Sequence, residues 1–142
     1  MRALLDINVL IALHDRDHIH HERAALWLEA HIAHGWASCP LTQNGCLRIM
    51  SQPGYSKPQP LSALVVMLQG STTTAFHHLW ADDISVLDAG RFHHPHIHGP
   101  RQLTDLYLLG LAVKNAGRFV TFDARVPLSA VHGASPQHLV TL

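Results

Sequence analysis

The chain has 142 residues, the length of one ordinary domain, and roughly 70% of its unfolded surface can be buried without disulfides or structural metal. Its 47% apolar and 14% charged residues exclude a disordered chain, which needs the opposite balance. Ten basic and ten acidic residues cancel, excluding a global positive field that would gather nucleic acid or anionic membrane.

Residues 3–5 form an apolar run ending in Asp6 and read as a buried strand; residues 7–13 turn directly into a helix. Residues 19–34 carry Ala25, Leu28 and Ile32 at helical spacing, with Gly35 at the stop. A second strand is expected over 36–39, closed by Pro40. Helices follow over 42–51, with Cys46, Leu47 and Met50 on one face, and over 61–68. Short strands are expected at 75–80 and 84–87, then a loop over 90–100. Residues 101–115 form an apolar helix stopped at Gly117, and strands follow at 119–122, ending in Asp123, and at 138–142. Strands alternating with helices, without repeat or linker, predict one α/β unit over 1–142 with a mainly parallel sheet and helices on both faces.

The N-terminus lacks the basic region and apolar run of a signal peptide. Apolar runs such as 106–113 are too short to span a bilayer. A soluble, cytoplasmic chain without membrane contact is expected. Cys39 and Cys46, seven apart, fit neither a disulfide framework nor a zinc knuckle and read as reduced thiols.

Open α/β sheets place their sites at the carboxyl ends of strands. Asp6 and Asp123 end strands there, and Asp105 lies in the first turn of the apolar helix. Taken singly, each suits a helix cap or dipole. Taken together, three of only ten acids adjoin the most apolar segments, and clustered carboxylates repel unless a cation holds them. An all-oxygen set points to Mg²⁺ or Mn²⁺ rather than zinc.

Four segments then fall in a telling order: 4–11 (LLDINVLI), 39–45 (CPLTQNG), 104–109 (TDLYLL) and 120–123 (VTFD). In this order the chain resembles PIN-domain ribonucleases, and in particular toxins of the virulence-associated protein C (VapC) type, over nearly its whole length. The resemblance implies a three-layer α/β/α sandwich and a metal-dependent endoribonuclease that cleaves RNA by metal-activated water. It implies a cognate antitoxin covering the site and a homodimer. By motif, Asp6, Asp105 and Asp123 match metal-binding acids, with Asn8 and Thr121 as supporting neighbours. Gln43 stands where the family carries a fourth acid, usually glutamate, and shares a helix face with Cys46, Leu47 and Met50. Arg48, Arg91, Arg101 and Arg125 are candidate phosphate contacts.

Fourteen histidines include tracts at 18–21 and 93–98, which read as solvated loops or as transition-metal sites. Trp27, Trp36 and Trp80 read as core or interface residues. Besides the endoribonuclease, two alternatives stand: a PIN-like module, weakened at Gln43, that binds RNA or antitoxin, and a histidine-rich metal-handling protein. The absence of a GxGxxG after the first strand excludes a dinucleotide-binding domain.

Overall fold

Strand β1 (Ala3–Leu5) is apolar throughout because both its faces are covered: Leu4 faces one core, and Ala3 and Leu5 face the other. In a computed structural model that describes residues 1–142, it lies at the centre of a parallel sheet. Its companions are β2 (Trp36–Ser38), β3 (His77–Leu79), β4 (Arg118–Thr121) and β5 (Leu139–Thr141), in the order β3-β2-β1-β4-β5. Helices α1 (Ile7–His14), α2 (His21–His31), α3 (Pro40–Met50) and α4 (Leu61–Thr72) cover one face, packing Val9, Ala24, Cys46 and Leu64 against Leu5 and Val120. Helix α5 (Leu103–Lys114) covers the other, packing Leu106 and Leu109 against Leu4 and Phe119. The result is the expected α/β/α sandwich. The strand order reverses between β1 and β4, so their carboxyl ends border the crevice where ligands bind in such sheets.

Several boundaries differ from the sequence reading. Residues 84–87 do not pair as a strand; Ile84 and Val86 instead pack against the α5-side core from an irregular segment. Helix α2 begins at His21, two residues later than expected, after a turn in which the His18 carbonyl accepts from His21 N at 3.0 Å. Helix α3 begins at Pro40, which suits a first helical position because its missing N–H would be unpaired there anyway. Helix α4 runs through Gly70 to Thr72. Helix α5 begins at Leu103, after a 3-10 turn over Pro100–Gln102. Trp36 and Trp80 are buried as expected, whereas Trp27 is half-buried, stacked on His31 with Arg118 over its ring.

The stop of α5 also works differently. Ala116, with φ 52°, takes the left-handed position, and Gly117 N donates back to the Ala112 carbonyl at 2.9 Å. Gly117 is required for closeness instead: a Cβ there would lie 2.6 Å from the Arg2 carbonyl oxygen and 2.5 Å from the Trp80 ring. The two residues therefore respond oppositely to exchange. Gly117→Ala should cost about 1–3 kcal/mol by overpacking, and Ala116→Gly should gain up to about 1 kcal/mol by relieving the left-handed strain. Urea denaturation of both variants checks the pair.

Candidate active site

Asp6 leaves the end of β1 with 5% relative exposure, held by the residues around it. As N-cap of α1 it accepts from Ile7 N at 2.7 Å through Oδ1, and Thr121 Oγ1 donates to Oδ2 at 2.8 Å. The same Thr121 oxygen accepts from Asp123 N at 3.1 Å. One threonine thus fastens the ends of β1 and β4, 115 positions apart. Burial raises the Asp6 pKa, the Thr121 and Ile7 hydrogen bonds oppose the rise, and the charge of Asp123 adds to it.

Asp105 sits in the first turn of α5 and is half-buried. Burial, then the negative charges of Asp6 and Asp123, push its pKa up to about 6, against a smaller pull from Arg125. No hydrogen bond is among these causes. Asp123 behaves oppositely: the Arg125 side chain donates to it from Nε at 3.0 Å and Nη2 at 3.1 Å, and Arg125 N at 2.8 Å, holding its pKa below the usual range. A cavity of about 330 Å³ opens beside Asp105 and Asp123, rimmed by Arg125, Arg101, His98 and Gln102. Asp6, Asp105 and Asp123 are thus brought together from three elements.

Gln43 is oriented by a chain of hydrogen bonds on the β2–β3 side. His77 Nδ1 lies 3.0 Å from the Thr72 carbonyl, which can only accept, so Nδ1 carries the ring hydrogen. Burial lowers the His77 pKa and favours the neutral ring, leaving Nε2 as an acceptor. Ser38 Oγ, 2.8 Å away, therefore donates to His77, and Gln43 Nε2 donates to Ser38 Oγ at 2.9 Å. The amide nitrogen is used and the amide oxygen remains available. A glutamate could not make this donation. Asn8 is exposed at the second position of α1 and takes no part in these networks.

The donor set suits a hard divalent cation: three carboxylates, two of them with pKa raised first by burial and further by acidic neighbours, a repulsion that a cation would offset. No three histidine, cysteine, aspartate or glutamate groups already stand at ion-holding separation, and Asp123 is turned onto Arg125. An ion bound there would therefore compete with Arg125 for Asp123. It would compete with a proton for Asp105 as well. Between the ordinary carboxylate range and about pH 6, folded Asp105 keeps a proton that the unfolded chain has lost. The contribution of this group to metal-free stability is thus greatest at low pH and falls as pH rises through that window. Thermal melts in EDTA should show this fall, and Asp105→Asn should flatten it.

Among the other candidates, Arg101 and Arg125 line the acidic cavity, Arg91 pairs with Asp88, and Arg48 is exposed on α3. Cys39 and Cys46 are free and buried, with pKa values pushed up to about 11 and about 12 by burial. The histidine tracts are more ordered than solvated loops. His93 meets His96 edge-on at 4.2 Å, and His18 and His20 gather on Phe122. Neither tract brings three ligands together for a metal.

The family model for the PIN domain matches residues 3–132. Ribonuclease VapC44 of Mycobacterium tuberculosis is 51% identical over 142 residues, covering all of both chains. The chain belongs to the VapC family of PIN-domain proteins. Ribonuclease VapC39 of the same organism is 37% identical over 134 residues, 94% of this chain and 96% of that relative. The fold is also that of a chain in the crystal structure of VapBC2 from Rickettsia felis bound to a DNA fragment from their promoter. That likeness has a TM-score of 0.59 at 13% identity and covers 100% of this chain and 98% of that one. This VapC-family chain carries Asp6 and Asp123 just after the carboxyl ends of β1 and β4, where the sheet alone would locate a site.

Proposed function

We infer that the chain is an endoribonuclease toxin neutralised by a cognate antitoxin, and we propose that Asp6, Asp105 and Asp123 hold its divalent ion. The observation that supports the site is the mutual charge effect of the three carboxylates at the end of the sheet where the strand order reverses, with the Asp105 pKa raised by burial and then by the charges of the other two. A bound Mg²⁺ or Mn²⁺ supplies an acidified water and offsets charge gathering on the phosphate. Thr121 holds Asp6 in position, and Asp105 must be deprotonated to ligate. Arg125 and Arg101 stand beside the acids where they can meet RNA phosphates, Arg125 once released from Asp123. The chain is read as one unit over 1–142 that acts as a cytoplasmic homodimer, and no helix is long and apolar enough to cross a membrane.

The test is incubation of the purified chain with single-stranded RNA. Internal cleavage should appear with Mg²⁺ or Mn²⁺ and disappear in EDTA. Cleavage unaffected by EDTA would remove the ion from the account. The engaged Gln43 amide favours one second reading, a binding module that has lost catalysis. Cleavage by Gln43→Glu alone would favour it.

A further inference from the structure

Immediately after Thr121, whose hydroxyl holds the site together, Phe122 lies against two imidazoles. The His18 ring is nearly parallel to it, at 13° with centroids 6.5 Å apart, and the His20 ring lies at 4.8 Å and 37°. The loop that presents these rings is built. Asp15 accepts from Asp17 N at 3.0 Å, His18 Nδ1 accepts from His20 N at 3.0 Å, and His21 Nδ1 lies 2.7 Å from the Ala12 carbonyl. Tyr55 donates to Asp15 at 2.5 Å, and Lys57 pairs with Asp17. His18, His20 and Phe122 are only half-buried, and Ile19 between the histidines is 88% exposed. A pinned loop therefore holds two half-exposed imidazoles against the half-exposed Phe122, which is the backbone neighbour of Asp123.

We propose that His18, His20 and Phe122 form a stacking platform for an unpaired base of the RNA, next to the phosphodiester that the acids address. This rests on the endoribonuclease reading and names how that site takes its substrate. Single-stranded RNA is recognised by splaying bases onto aromatic faces, a contact that tolerates a chain with no net positive charge. Because His18 Nδ1 accepts a backbone hydrogen, its ring hydrogen sits on Nε2, available to a base edge.

The experiment uses short single-stranded RNAs carrying 2-aminopurine at each position in turn, with binding followed by fluorescence and cleavage by kcat and KM. Binding should quench the probe at one position. His20→Ala should abolish that quench and raise KM about tenfold, as expected for one stacked base, with kcat within about twofold, since His20 makes no side-chain hydrogen bond in capping α2. His20→Phe should restore both. Three results would overturn the platform: a quench retained in His20→Ala, a fall in kcat at unchanged KM, or His20→Phe behaving like alanine. Weakened antitoxin binding with RNA quenching intact would also overturn it, by assigning the rings to a protein contact. Failure of the nuclease reading is seen separately, as absence of cleavage by the unaltered chain.

Discussion

Asp6→Asn, Asp105→Asn and Asp123→Asn should each lower RNA cleavage by more than about a hundredfold. Removing an outer partner of a metal ligand already costs about 10–100-fold, and these residues are the proposed ligands themselves. The effects on stability should separate the three. Asp105→Asn removes a half-buried charge that Asp6 and Asp123 repel, so the metal-free chain should melt higher at neutral pH. Asp123→Asn should gain less, because Asp123 is already compensated by Arg125. In Asp6→Asn the amide oxygen can accept from Ile7 N while the amide nitrogen donates to Thr121 Oγ1, which reverses that bond and leaves the Thr121 hydrogen without its present acceptor. Full cleavage in any two variants would refute the assignment.

Gln43→Glu should tighten Mg²⁺ binding by about tenfold and raise cleavage at low Mg²⁺, since affinity for hard cations rises with ligand charge. The hydrogen-bond chain adds a signature of its own. Ser38 has one hydrogen, now given to His77. With a carboxylate at 43 that accepts and cannot donate, Ser38 turns to Glu, and His77 must bring a hydrogen on Nε2. The His77 pKa, lowered by burial in the natural chain, should therefore rise in Gln43→Glu. Metal-free stability at neutral pH should fall through the added charge. Mg²⁺ titrations of cleavage, with the His77 ring followed by NMR, test both limbs; identical titrations and an unmoved His77 would place residue 43 outside the ion's influence.

Much of this was legible in the chain because apolar runs and their punctuation are local. Asp6 and Asp123 follow runs covered on both faces, and Asp105 opens a helix whose Leu106 and Leu108–Ala112 stretch is buried. The strand order that sets these ends side by side is not local, and only the four motifs in sequence stood in for it. Residues 84–87 have a strand's composition but no partner, since apolar side chains fill a core equally well from irregular backbone. The pairing of Arg125 with Asp123 could have been suspected from an Asp-x-Arg beside a strand end. By contrast, Ser38, Gln43 and His77 meet through the parallel pairing of β2 with β3, at separations up to 39 residues, and carry no motif. The gathering of His18 and His20 on Phe122 depends likewise on a loop and a strand end more than 100 positions apart.

The most direct test of the account is calorimetric titration of the natural chain with Mn²⁺ near pH 6, in buffers of different ionisation enthalpy. With Asp105 half-protonated there, binding should be saturable and release a proton. Asp105→Asn should lose the proton release and most of the affinity. Mn²⁺ binding that is unchanged in Asp105→Asn, or that releases no proton in the natural chain, would contradict an ion held by these three carboxylates.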